Sequence, residues 1–265
     1  MQYPKCILFT VMAAAASLPS APAQTQTYTN SSLKGTYVFT ETGLPSAAGA
    51  IAAAGVLTAD GNGGVSGTIT QRLPGQFAAS RGATGTYQIN QDGTGNLTLS
   101  ATAPGSEDDV VTRRYQVVFS KAGLTGVSAD QGLFGVVGMT VQTESTGVTL
   151  AGLKGRYAFS ETGAVNHTST HLAIGTIELD GSGAVTGSVE FRTLGRSVVS
   201  RRLTGVYTVS GAGLGEMTLQ YSEPSAEEGE TETTQFRFAI IVAGQDLVGV
   251  RLDNGVNAVS RLARQ

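Results

Sequence analysis

Apolar and polar residues alternate with a period of two along most of the chain beyond residue 33. A period of two places successive side chains on opposite faces of a strand. Tyr37, Phe39 and Glu41 thus share one face, and Val38 and Thr40 the other. Val65, Gly67 and Ile69 oppose Ser66, Thr68 and Thr70 in the same way. Tyr87 with Ile89, Leu97 with Leu99, and Tyr115 with Val117 and Phe119 continue the apolar face. Between these runs lie Asp60-Gly61-Asn62-Gly63 and Asp92-Gly93-Thr94-Gly95. Both have hairpin-turn chemistry: aspartate caps the turn, and glycine supplies the positive φ it requires. The pattern predicts strands over 35–41, 48–59, 65–70, 75–81, 84–90, 97–99, 111–120, 124–129 and 134–141, and no long helix.

The pattern is then copied. Leu33-Lys34-Gly35-Thr36-Tyr37-Val38-Phe39-Thr40-Glu41-Thr42-Gly43 returns 120 residues later as Leu153-Lys154-Gly155-Arg156-Tyr157-Ala158-Phe159-Ser160-Glu161-Thr162-Gly163. The Asp60 turn returns at Asp180, and Thr84-Gly85-Thr86-Tyr87 returns as Thr204-Gly205-Val206-Tyr207. The register slips by one at Ala122/Ala243 and by three at Val136/Val259, where acidic and Gly-rich segments read as loops. A solenoid unit runs about 20–50 residues. A repeat of 120 is the size of a small domain. Tyr157, Phe159, Val185, Val189, Tyr207, Val209, Met217, Leu219, Phe236, Phe238 and Ile240 take the inward positions of the second copy.

The fold class expected is all-β: two tandem antiparallel β-barrel-like domains, calycin- or streptavidin-like meanders, with β-sandwiches as the alternative. One-sided alternation and consecutive hairpins favour the meander. The layout is a signal peptide over 1–23, a flexible lead-in over 24–32, module 1 over 33–141, a linker over 142–151 and module 2 over 152–265. The linker is short enough for the modules to touch. The outer face reads as Thr, Ser, Gln and Arg, without the apolar band and aromatic girdles of an outer-membrane barrel.

Residues 1–23 read as a secretory signal: Lys5, an apolar run over 6–18, and Ala21-Pro22-Ala23 as cleavage pattern. The run is short of the roughly 20 residues that a membrane span needs. Cys6 is the one cysteine and lies in this segment, so the processed chain has no disulfide and no thiol nucleophile. Removal takes Lys5 and no acid, leaving 16 basic against 20 acidic residues, or −4. That balance argues against a nucleic-acid partner. The expected location is secreted, periplasmic or cell-surface.

Candidate chemistry is sparse. His167 and His171 are the only histidines. On a strand they would lie roughly 13 Å apart, too far to share a metal. They read as residues of an exposed loop, and no metal or other cofactor is expected. The Asp60 and Asp180 loops lack the alternate ligands and distant glutamate of a calcium loop. There is no G-x-S-x-G, and Ser31-Ser32-Leu33-Lys34 precedes a strand and loses its serine in the second copy. The acidic segments at 107–109 and 223–232 read as solvated hairpin tips.

Charges retained in both copies stand out, because most differ: Glu41 with Glu161, Arg72 with Arg192, and Arg81 with Arg201. Glu41 extends the inward aromatic face, and a buried carboxylate needs a partner. Arginine suits it through bidentate geometry. The six form either a Glu–Arg latch at each barrel mouth or the polar floor of a ligand pocket.

The run L-K-G-x-Y-x-F-x-E-T-G, with D-G-x-G and T-G-x-Y, resembles uncharacterised secreted bacterial proteins that carry such modules singly or in tandem. The resemblance covers nearly all of the chain after residue 23 and implies no activity. The function expected is a secreted, non-catalytic binding or structural module of the envelope or matrix. The alternative is a small-ligand barrel, carrier or cyclase-like, whose cavity Tyr37, Phe39, Tyr87, Tyr115 and Phe119 would line. N-terminal sequencing of exported protein is expected to start near Gln24, and a start at Met1 would contradict the signal.

Overall fold

The computed structural model describes residues 27–43, 50–73, 78–103, 105, 109–120, 123–130, 135–141, 147–165, 169–193, 198–211, 213–222, 234–243, 245–253 and 256–265. The signal segment lies outside these residues. Eight strands form the first module: β1 (Lys34–Gly43), β2 (Ala52–Asp60), β3 (Gly64–Arg72), β4 (Ala79–Ile89), β5 (Thr94–Thr102), β6 (Val110–Ser120), β7 (Gly123–Ser128) and β8 (Gly135–Val141). Eight more form the second: β9 (Gly155–Val165), β10 (Ser169–Leu179), β11 (Ala184–Thr193), β12 (Val199–Val209), β13 (Leu214–Ser222), β14 (Thr234–Ala243), β15 (Asp246–Arg251) and β16 (Val256–Arg264). Each strand pairs antiparallel with the next, β8 returns to β1 and β16 returns to β9. The result is two closed up-and-down barrels, and the sandwich alternative is excluded.

The repeat is exact at the level of register. Tyr37 faces Leu57 across β1/β2, and Tyr157 faces Ile177 across β9/β10. One difference from expectation lies in β4. The segments 75–81 and 84–90 were expected as two strands, but Ala79–Ile89 is one continuous strand. Gly82 and Gly85 punctuate its sequence without breaking its pairing to β3 and β5.

An eight-stranded barrel is just wide enough for side chains to fill. Here they do. Phe39, Leu57, Ile69, Leu97, Tyr115 and Met139 belong to one buried cluster inside the first barrel. Tyr157, Ile177, Leu203, Tyr207, Met217 and Leu219 do the same in the second. A water-sized void would leave its lining accessible, and these side chains are almost wholly inaccessible. The tight coiling needs glycine where strands approach most closely. A Cβ on Gly55 would sit 2.2 Å from the Thr68 carbonyl oxygen, and one on its repeat partner Gly175 would sit 2.1 Å from that of Ser188.

The end of each barrel that carries the Asp60 or Asp180 turn is plugged. The expected flexible lead-in over 24–32 is, from Tyr28 onward, part of that plug. Asn30–Ser32 forms a 3-10 turn that inserts buried Leu33 under the barrel. The Asn30 side chain accepts the Ile89 amide at 2.8 Å, and the Tyr87 hydroxyl donates to the Leu33 carbonyl at 2.7 Å. Tyr28 packs edge-on against Phe119, ring centroids 5.3 Å apart. The end of the expected linker does the same for the second barrel. Ala151–Leu153 is a 3-10 turn with Leu153 buried, and the Tyr157 hydroxyl donates to its carbonyl at 2.8 Å. These polar groups would be orphaned under the barrel without one another.

The outer faces are not uniformly polar, contrary to expectation. Val38, Ala52 and Ala54 on the outside of β1 and β2 are buried against Ile241, Val248 and Val250 on the outside of β14 and β15. The two barrels therefore pack side by side. The alternation that fills each barrel also leaves small apolar residues outside, and burying them against the neighbour is favourable.

Leu33→Ala and Leu153→Ala are each expected to cost about 2–5 kcal/mol. Urea unfolding measures this, and a loss well under 1 kcal/mol would contradict the plug.

Candidate functional site

Each barrel holds its shared glutamate near the other end, on the inward face of its first strand. In the second barrel, Glu161 is fully buried on β9 and fully engaged. Its Oε1 accepts from Arg251 Nη1 at 2.8 Å and His171 Nε2 at 2.7 Å, and its Oε2 from Ser260 Oγ at 3.1 Å. Arg251 Nε donates in turn to Asp253 Oδ2 at 2.7 Å. The His171 ring lies 5.9 Å from Phe191, which meets Tyr221 edge-on at 4.6 Å. Burial alone would raise the Glu161 pKa. The Arg251 guanidinium above all, then the His171 and Ser260 hydrogen bonds, hold it below the ordinary value. Burial pushes the Tyr221 phenol far up, so it stays neutral.

The first barrel treats the same residue differently. Glu41 is buried. Burial raises its pKa, the Arg113 charge and the neighbouring Tyr115 pull it partly back, and Asp130 adds to the rise. The Tyr115 phenol sits beside the carboxylate without a hydrogen bond of regular geometry. Burial, then the Glu41 charge, lifts its own pKa well above the usual. Gln71 Oε1 and Arg113 Nε are buried without a hydrogen-bond partner among the described residues. Arg81 is buried and donates to the Asp109 side chain at 3.1 Å and to its carbonyl at 3.2 Å.

The six expected site residues therefore divide. Glu41, Glu161 and Arg81 do point into their barrels. Arg201 stands near the Tyr221 phenol, on which its charge acts. Arg72 and Arg192 do not belong to the mouths. Arg72 points outward, where its Nε donates to Asn257 Oδ1 at 2.5 Å and its Nη1 to the Leu252 carbonyl at 3.3 Å in the second barrel. Arg192 is exposed on the outer face of β11. The latch in barrel two exists, but its arginine is Arg251. Adjacent β3 and β11 residues alternate faces, so Gln71 and Phe191 take the inward places and the arginines the outward ones.

The expected exposed loop for His171 is also corrected: it is buried on β10, drawn inward by Glu161. His167 and most of the two acidic segments lie outside the described residues; Asp109 holds Arg81. Asp60 and Asp180 accept amides of their own turns. The Ser182 hydroxyl above all, then the turn amides, lower the Asp180 pKa to about 2. Among the described residues no group of three or more His, Cys, Asp or Glu side chains could hold a metal, and no helix is long and apolar enough to cross a membrane.

Sequence reasoning named Tyr115 as a cavity-lining residue but missed Arg251, Ser260, Tyr221 and Arg113. Looking for charges shared by both copies hid them, because the partners of the shared glutamate are private to each copy. Register places Ser128 where Arg251 stands and Val137 where Ser260 stands. The usable signal was the buried glutamate itself, which demands a donor on a neighbouring strand. The chain matches no protein-family model and no curated protein.

The two glutamates predict opposite outcomes. Glu161→Gln removes one of the two carboxylates that face the buried Arg251, leaving Asp253, and is expected to cost about 3 kcal/mol at neutral pH. Wild-type Glu161 contributes stability above its unfolded value of 4.5, lost as pH falls through its lower folded value, and the variant lacks that slope. Glu41 has the reverse sign. Its contribution is present below 4.5 and is lost as pH rises through its higher folded value. Glu41→Gln is thus expected to be neutral or stabilising at pH 7. Thermal unfolding across pH checks both, and a large loss for Glu41→Gln at pH 7 would contradict the assignment.

Proposed function

We propose that the protein is an exported, non-catalytic module that acts by binding or packing in the cell envelope or extracellular matrix. The observation that carries this reading is the close packing of the described inward side chains of both barrels. The side chains expected to line a cavity, Tyr37, Phe39, Tyr87, Tyr115 and Phe119, pack against one another and against their neighbours. The carboxylate best placed for proton transfer, Glu161, spends both oxygens on Arg251, His171 and Ser260. The signal-like residues 1–23 and the resemblance to secreted tandem modules support export. Fractionation of cells making the full chain tests the location. Processed protein outside the cytoplasm is expected, and unprocessed cytoplasmic protein would overturn the reading.

A second reading, binding of a small polar ligand at the mouth of the first barrel, has one specific observation in its favour. Gln71 Oε1 and Arg113 Nε are buried without a hydrogen-bond partner among the described residues, Arg113 acting on Glu41 by its charge, and such groups in native structures call for water, an ion or a ligand. A thermal-shift screen of small polar compounds separates the two. Ligand-dependent stabilisation lost in Glu41→Gln favours the second reading, and no shift with any compound favours the first.

A further inference from the structure

The interface between the two barrels uses two different faces, and the duplication supplies a second copy of each. Barrel one contributes the outside of β1 and β2, with Ala52 and Ala54 at its centre; barrel two contributes the outside of β14 to β16, with Ile241, Val250 and Val259. The counterparts of Ala52 and Ala54, 120 residues on, are Leu172 and Ile174 on the outside of β10. These are exposed, 43% and 61%. The counterparts of Ile241, Val250 and Val259, by matching strand register, are Val118, Val127 and Val136. These too are exposed, 58%, 55% and 52%. One apolar half-interface of each kind is thus left open, one on each barrel.

We propose that the chain assembles head to tail, the open β10 face of one copy seating on the open β6–β8 face of the next and repeating the contact already formed within each chain. A contact between two unlike faces does not close on itself in a pair; it propagates, as a filament or a ring. Shape supports the fit. Within the chain, small Ala52 and Ala54 meet bulky Ile241 and Val248; between chains, bulkier Leu172 and Ile174 meet the smaller Val118 and Thr125 that occupy those registers. These four places gain volume in sum, and the smaller Ala158 and Thr176 at the places of Val38 and Val56 offset most of that gain. Of the polar contact, the arginine and its carbonyl acceptor repeat and the amide side chain does not, because Ala129 and Phe134 hold the places of Leu252 and Asn257 in the sequence. Arg72 crosses the internal interface to Asn257 and the Leu252 carbonyl. Its counterpart Arg192 is exposed and pairs in register with Leu172, on the rim of a groove of about 250 Å³ formed with Ile174, Phe191 and Val198. The retention of this arginine in both copies is thereby explained: each serves the same contact, one inside the chain and one between chains. The inference stands whether or not the exported-module reading holds.

Sedimentation of the purified protein over a range of concentrations tests it, with Ile174→Arg blocking one face and Val127→Arg the other. The wild type is expected to grow in mass with concentration, and each variant to stay monomeric. An equimolar mixture of the two variants still offers one intact face of each kind, so it should give a complex of twice the mass of either and nothing larger. A wild type that stays monomeric, a single variant that still grows, or a mixture that stays monomeric would each overturn the proposal. Leu172→Arg with Val136→Arg provides a second pair should either first variant unfold, judged by circular dichroism.

Discussion

Closure of the sheet is the constraint on which the rest depends. Once β8 hydrogen-bonds to β1 and β16 to β9, neither module has a free edge, the liability that open sheets must otherwise manage. Closure at eight strands also sets the bore, and the bore sets the side-chain volume that fits. That explains the alternation of large residues with glycine on the inward faces, and the need for Leu33 and Leu153 to stopper one end. It also explains why a carboxylate inside the bore is so consequential. A charge there is shielded from bulk solvent, so the protein must surround it with donors or shift its protonation.

The two copies answer that demand in different ways. Barrel two meets Glu161 with Arg251, His171 and Ser260, and the carboxyl stays ionised. Barrel one leaves Glu41 beside a phenol and a partly buried arginine, and burial dominates. One scaffold with two electrostatic solutions is what duplication permits: backbone and core are held by packing, and polar contacts inside each bore are free to drift once each remains tolerable.

Much of the fold was legible in the sequence, because its signals are local. Alternation around Tyr37-Val38-Phe39 and the Asp-Gly turns at Asp60 and Asp180 depend on neighbours in the chain, and the 120-residue recurrence is visible by inspection. What was not legible depends on residues far apart. His171 looked like a loop residue because its burial comes from Glu161 ten residues away on the facing strand. Arg72 looked like a latch because its partner, Asn257, is 185 residues downstream in the other barrel. The outward valines carried no sign of an interface until the barrels were seen side by side. Arg251 was invisible to a comparison of copies because its counterpart is a serine.

Amide hydrogen exchange along β1, β8, β9 and β16 tests closure most directly. Closed barrels require slow exchange at the Phe39, Glu41, Met139 and Val137 positions and at their counterparts in β9 and β16, at rates like those of the central strands. Fast exchange confined to β8 and β16, as at free sheet edges, would show that the sheets are open and would contradict the filled, stoppered barrels.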